Sequence, residues 1–227
     1  MTDFTRHRSN TPPPVQRKVS DSTIRRLSHY LRSLETRTGP GPVTVSSEDL
    51  ALEAGTTAAQ VRKDLSLFGS FGKRGTGYGV SDLTFHLRGI LGLDRVWRVA
   101  LLGAGRIGSA LFEYTDFRRR GFEIVAVFDR DPAKIGTPWG AVTIQDVAGM
   151  EAVLARQAIR VAILAVPAAA AQDLAERAVA AGVRGILNFA PAPLRLPEAV
   201  VVQEVDVVTE LESLSFQLTH PDRNGAG

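Results

Sequence analysis

Gly103-Ala104-Gly105-Arg106-Ile107-Gly108 directly follows the apolar run Val99-Ala100-Leu101-Leu102 and opens a helical pattern. Glycines at this spacing between a strand and a helix suit a nucleotide pyrophosphate. Gly103 permits the tight turn, Gly105 lets the backbone approach the phosphates, and Gly108 lets the helix pack close to the strand. The helix start, with Ala104, Arg106 and Ile107 in or beside it, offers unpaired N–H groups and partial positive charge. Asp129 ends the next apolar run, Glu123 to Phe128, 21 positions after Gly108. A carboxylate there accepts the two ribose hydroxyls of adenosine and repels a 2′-phosphate, which favours NAD(H) over NADP(H). Arg130 next to it is the opposing signal, because an arginine in this region accommodates that phosphate.

A turnover enzyme would also need a proton donor or acceptor beside the nicotinamide. Residues 98–227 contain one histidine, His220, and one lysine, Lys134. Tyr114 stands without a nearby Lys or His, and no second α/β domain is left to hold a substrate. Binding without catalysis is the expectation, with no catalytic residue assigned. The chain has no cysteine, which excludes disulfides, thiolate metal sites and thiol redox sensing, and no metal site is expected.

The first half carries a different chemistry. Residues 1–97 hold 14 Lys and Arg against 9 Asp and Glu, a surplus of five; residues 98–227 hold 13 against 15, a deficit of two. A basic front half invites a polyanion. Val61, Leu65 and Phe68 define one face of a helix over 58–68, and the 3.6-residue period turns Ala59, Lys63 and Ser66 outward with Arg62 flanking. Donors and small side chains on an outward face fit a DNA major groove. Gly69 to Gly79 holds five glycines in eleven positions and suits a hairpin wing tipped by Lys73 and Arg74, placed for phosphates or a narrow minor groove.

Positioning these residues takes two kinds of scaffold. A helix capped at Ser20–Asp21 carries Ile24, Leu27, Leu31 and Leu34, and ends before Gly39-Pro40-Gly41-Pro42. A short β-like Val43-Thr44-Val45 precedes Ser46-Ser47-Glu48-Asp49, a capping box that opens a helix to Ala54. With the Gly55-Thr56-Thr57 turn and the next helix, this spacing is helix-turn-helix. A further helix, Ser81 to Leu93, closes that half on Leu83, Leu87 and Ile90/Leu91. From Val96 onward strands and helices alternate: Val99–Leu102, Ile107–Arg120, Glu123–Phe128, Val161–Val166, Ala168–Ala181, Gly185–Phe189, Val200–Val205 and Val208–Thr219. Such alternation predicts a parallel sheet with helices on its faces. No apolar run reaches the roughly 20 residues that span a bilayer, and residues 1–16 lack a signal-like apolar stretch, so the expected location is the cytoplasm. The 227 residues thus divide into a basic arm (1–19), a winged helix DNA-binding domain (20–95), a Rossmann domain (96–206), a last helix (207–220) and a tail (221–227).

Several of these segments together resemble the bacterial redox-sensing repressor family Rex. They are Gln60-Val61-Arg62-Lys63-Asp64-Leu65-Ser66, Gly69 to Tyr78, the Gly103 loop, Phe128-Asp129-Arg130-Asp131-Pro132, Val166-Pro167 with Ala171-Gln172, and Ile186-Leu187-Asn188-Phe189-Ala190-Pro191. The resemblance spans residues 20–220 in order. It implies an α/β chain with an N-terminal winged helix and a C-terminal doubly wound Rossmann domain. It also implies a homodimer that exchanges its last helix, with Leu211, Leu214 and Leu218 as the exchanged face. It further implies a repressor that binds palindromic operators when NADH is low and leaves them when NADH binds. By motif position it adds Lys134 and Pro167 to the cofactor set, Gln60 and Tyr78 to the DNA set, and Arg32, Tyr114 and Asp206 as a switch. This chain departs from the family in having Val207 where an aromatic often follows the switch aspartate. The readings that compete with this one are a small NAD-dependent oxidoreductase and a nucleotide- or CoA-binding protein without DNA binding.

Overall fold

The computed structural model describes residues 19–37, 43–72 and 76–220. The chain divides between Arg95 and Val96 into two compact units.

The first unit runs α1 (Asp21–Glu35), β1 (Thr44–Val45), α2 (Ser47–Glu53), α3 (Ala58–Ser66), β2 (Tyr78–Gly79) and α4 (Val80–Ile90). Hydroxyl side chains start its first three helices: Ser20 accepts from the Thr23 N–H, Ser46 and Asp49 cap each other reciprocally, and Thr57 accepts from the Gln60 N–H. Each such cap is worth about 1 kcal/mol. Leu27, Tyr30, Leu31, Leu34, Leu50, Val61, Leu65, Leu83 and Leu87 form one core. Ile24 departs from expectation: it is 44% exposed, and Thr23 takes the inward place. The inward set is therefore 23, 27, 30, 31, 33 and 34, the wider stripe of a helix packed on two neighbours.

Tyr78 and Gly79 pair antiparallel with Val45 and Thr44, which lie before α2, so the two-stranded ladder closes around the helix pair. Gly77 has a positive φ of 78°, and a Cβ there would press on the Val45 carbonyl. Only glycine permits that approach. Lys73 and Arg74, the expected wing tip, lie outside the described residues, as does the arm before residue 19.

The second unit runs β3 (Trp97–Leu102), α5 (Arg106–Phe112), α6 (Asp116–Arg119), β4 (Phe122–Asp129), β5 (Pro138–Trp139), β6 (Val142–Asp146), α7 (Met150–Arg156), β7 (Val161–Leu164), α8 (Ala168–Ala180), β8 (Gly185–Asn188), β9 (Val201–Glu204) and α9 (Val207–Thr219). Its sheet has the order β5-β6-β4-β3-β7-β8-β9, and every pair except β5/β6 is parallel. From β6 to β9 this is the 3-2-1-4-5-6 order of a doubly wound dinucleotide fold, whose switch point lies between β3 and β7. Alternate residues feed separate cores. Ala100, Leu102, Ala126 and Phe128 pack on one face; Val99, Leu101 and Val127 pack on the other.

The single helix expected over 107–120 is broken. Phe112 and Phe117 both pack into the same cluster, Phe112 against Trp139 with ring centroids 5.1 Å apart. Five residues turn a continuous helix by about 140° from its starting face, so one straight helix cannot bury both rings. The break at Glu113 to Thr115 resolves the conflict. At the other end of the unit, α9 begins at Asp206, whose side chain accepts from the Val208 and Thr209 N–H groups. All thirteen residues of α9 are exposed, including Leu211, Leu214, Phe216 and Leu218.

Candidate functional sites

The glycine loop sits at the carboxyl end of β3. Gly103 donates its N–H to the Phe128 carbonyl at 2.8 Å, and its φ of 102° is left-handed. A Cβ on Gly103 would collide with the Ala165 carbonyl oxygen, and one on Gly108 with the Gly103 carbonyl oxygen. Gly105 is the opposite case: a Cβ there meets nothing within 4 Å. Gly103 and Gly108 are thus required by the fold itself, whereas Gly105 borders open space. No side chain caps α5 at Gly105. Arg106 and Ile107, the first residues of α5, are exposed.

Asp129 ties the second strand to this loop. Its Oδ2 accepts from the Ala104 N–H at 2.8 Å and the Lys134 ammonium at 3.3 Å, and its Oδ1 accepts from the Asp131 N–H at 2.9 Å. Burial pushes the carboxyl pKa up, but the Asp131 and Ala104 N–H groups and Lys134 outweigh it and hold the group below its ordinary value. Asp129 is therefore ionised at neutral pH, and Oδ1 retains one acceptor site. Lys134 also lies 3.7 Å from Asp131.

A cleft of about 720 Å³ opens here, lined by Gly103, Gly105, Asp129, Arg130, Lys134 and Pro167 among others. Its volume falls within the range of small-molecule sites. The structure thus brings Gly103, Gly105, Asp129, Lys134 and Pro167 to one cleft at the switch point. Arg177 on the far wall is not a free cation: it forks onto Glu151 at 2.5 and 3.1 Å. A second hollow of about 470 Å³ lies between Ile107, the segment Asn188 to Pro193, and Glu204 to Val207. Asn188, 2% exposed, shapes its wall by accepting from the Ala190 N–H and donating to the Ala192 carbonyl. Its place at the end of an apolar strand was the sequence signal for that role.

The expected switch residues do not meet within one unit. Tyr114 is 55% exposed, packs edge-on to Phe117 and reaches Asp116 at 3.5 Å. Asp206 spends its carboxylate on capping α9, including a 2.9 Å bond from the Thr209 hydroxyl. Arg32 is exposed on α1 in the first unit.

In the first unit, Ala59, Arg62, Lys63 and Ser66 form the exposed face of α3. Arg62 donates to Ser47 at 2.9 Å and lies 3.5 Å from Glu48, which holds it over the start of α2. A groove of about 770 Å³ separates α3 from Gly69 to Gly72 and Tyr78. Gln60, which the resemblance adds to the DNA set, donates its amide to Asp64 Oδ1 at 2.7 Å. The sequence pattern gives Asp64 no role of its own. The helix period places it about 60° from Val61, beside the buried face, and it is 1% exposed.

Fold and sites define a class: a winged helix unit followed by a nucleotide-binding Rossmann unit in one chain. Residues 18–66 match a family model described as a putative DNA-binding protein N-terminus, and residues 94–192 match a CoA binding domain. The chain is 49% identical to the "Redox-sensing transcriptional repressor Rex" of Carboxydothermus hydrogenoformans, covering 88% of this chain and 97% of that one. It is 48% identical to the protein of the same name from Chloroflexus aurantiacus, covering 93% and 96%. Among solved structures, RSP in complex with beta-NAD+ and operator DNA superposes with a TM-score of 0.84 at 37% identity, over 91% of this chain and 95% of that one. RSP with beta-NADH gives 0.80 at 36% identity, over 91% and 97%. This chain belongs to the Rex family of redox-sensing transcriptional repressors, whose members are regulators and not enzymes.

Proposed function

We propose that this chain is a cytoplasmic, homodimeric repressor that binds an inverted-repeat operator and releases it when NADH occupies the Rossmann cleft. The observation that carries the reading is Asp129. An ionised carboxylate at the end of the second strand, bonded to the glycine loop at Ala104, stands where an adenosine ribose is recognised. The residues fit NAD(H). Gly105 leaves space for a pyrophosphate, Asp129 Oδ1 keeps an acceptor for a ribose hydroxyl, and Lys134 and Pro167 border the same cleft. A 2′-phosphate beside Asp129 would meet like charge, which sets NAD(H) above NADP(H). The bound nucleotide supplies the redox signal, since its two forms differ by a hydride and by the ring's positive charge.

On the DNA side, Arg62, Lys63 and Ser66 form the reading face, with Lys73, Arg74 and Tyr78 as further DNA contacts and Gln60 bracing the helix. RSP was solved with both NAD+ and operator DNA. A two-fold dimer would set two α3 helices on two half-sites. The exposed apolar face of α9 supports exchange of that helix with a second copy, because Leu211, Leu214 and Leu218 find no cover on their own unit. A ligand can move such a dimer only through unequal affinity for its two arrangements. Arg32, Tyr114 and Asp206 are the proposed switch.

The test is a gel shift on the duplex that the chain selects from a randomised pool, titrated with NADH, NAD+, NADPH and NADP+. NADH should release the duplex at much lower concentration than NAD+ or NADPH. Release by NAD+ as readily as by NADH overturns redox sensing. Failure to select any duplex overturns DNA binding.

A further inference from the structure

Asp64 lies on the recognition helix but faces away from the DNA side, with its side chain 1% exposed. All four of its acceptor positions are filled. Oδ1 accepts from Arg26 Nη2 at 2.9 Å and Gln60 Nε2 at 2.7 Å; Oδ2 accepts from Arg26 Nε at 2.6 Å and the Tyr30 hydroxyl at 3.0 Å. Arg26 and Tyr30 stand one turn apart on α1, and Gln60 and Asp64 stand one turn apart on α3. The node thus clamps two turns of each helix. Arg26 is itself oriented by a 3.2 Å bond to Thr23.

An apolar contact between two helices tolerates small rotations, because dispersion is weakly directional. A bidentate guanidinium–carboxylate fork is planar and tolerates few. Rotating α3 breaks the fork and strands a buried charge, which is strongly unfavourable. Lys63 and Arg62, about 100° and 160° around the helix from Asp64, are both exposed. Whatever fixes the rotation of Asp64 therefore fixes where Arg62, Lys63 and Ser66 point.

We propose that Asp64, held by Arg26 and Tyr30, is a positioning residue that sets the rotation of the recognition helix and thereby governs base discrimination rather than overall attraction to DNA. The proposal rests on the DNA-binding reading above. Backbone attraction depends on the number of cations presented, which the node leaves unchanged. Base readout needs side chains placed to a fraction of an ångström, which the node controls.

The experiment compares full-length wild type, Asp64→Asn and the paired apolar replacement Arg26→Met/Asp64→Leu. Each is measured on the duplex selected by wild type and on a scrambled duplex of equal length, with NADH affinity and Tm taken in parallel. Asp64→Asn should lower affinity for the selected duplex about 30-fold, the scale of one or two lost base contacts. Affinity for the scrambled duplex should stay within about twofold, since no cation is removed. NADH affinity should not change. The paired replacement restores an uncharged, packed interface and should recover Tm without recovering discrimination. Recovered discrimination in that variant overturns the proposal, since the node would then be mere packing. Equal losses on both duplexes in a folded Asp64→Asn overturn it as well. A wild-type chain that selects no duplex overturns the DNA-binding reading itself, an outcome visible before any variant is made.

Discussion

Each unit of this chain holds one largely buried aspartate that joins two elements, and the two are built for opposite ends. Asp64 is saturated by side chains: a guanidinium fork, a phenol and an amide occupy every acceptor position. Asp129 is held by two backbone N–H groups and one half-exposed lysine, with an acceptor position still open. A closed node fixes geometry and offers nothing to a visitor. An open one is ionised, oriented and available. Both carboxyls lie below their ordinary pKa: for each, burial raises the value and hydrogen bonds, from Arg26, Gln60 and Tyr30 in one case and from Asp131, Ala104 and Lys134 in the other, more than reverse it. A lowered pKa therefore does not tell recognition from scaffolding; the open acceptor position does.

The comparison breaks most readily at the loop glycines that carry the open site. Gly103→Ala puts a Cβ into the Ala165 carbonyl at a left-handed φ. The Rossmann unit should lose on the order of 4 kcal/mol, the range of exceptional single substitutions, read as an early unfolding transition in urea. The first unit should unfold as before. Gly105→Val, with open space at its Cβ, should leave that transition in place while blocking the phosphates, so that NADH affinity falls and Tm does not. Equal stability loss at both positions would dissolve the distinction between fold-required and ligand-facing glycines.

Asp129→Ala comes next. Removing the proposed ribose acceptor should weaken NADH binding by about 100-fold, the scale of hydrogen bonds to a charged group, measured by fluorescence titration. Asp64→Asn should leave the same titration unchanged. A fall in NADH affinity for Asp64→Asn, or none for Asp129→Ala, would show that the two aspartates do not divide the work in this way.

How far these features were legible in the sequence follows from how local they are. The glycine loop and Asp129 are strand ends and turns within about 30 residues, so spacing alone exposed them. The helix caps at Ser20 and Ser46 were readable for the same reason, whereas Thr57 reads in the sequence only as part of a turn. The break between α5 and α6 was not, because it follows from where Phe112 and Phe117 pack in three dimensions. Strands β5 and β6 and helix α7 have no such signal: α2, as short as α7, is announced by its capping box, whereas no side chain caps α7. The helical wheel placed Asp64 beside the buried face, but its partners Arg26 and Tyr30 come from 38 and 34 residues earlier. No local pattern announces that pairing.

The smallest effect belongs to Lys134, and it tests how open the second node is. Lys134→Met removes the ammonium from Asp129 Oδ2, which frees an acceptor for the ribose but also removes a charge that favours the ionised form. The two consequences oppose each other, so NADH affinity at pH 7 should change by no more than about threefold, within the range of a part-exposed ion pair. The pH dependence should change more clearly. Because the carboxyl pKa is held below its ordinary value, its contribution to binding and stability is present above the ordinary carboxylate range and is lost as pH falls through the lowered pKa. Without Lys134 that pKa rises, and the acid limb of NADH binding should move to higher pH. An acid limb unmoved in Lys134→Met, measured between pH 3 and 7, would mean that the two backbone N–H groups alone set the ionisation of Asp129. The open node would then owe its readiness to the glycine loop and not to the lysine beside it.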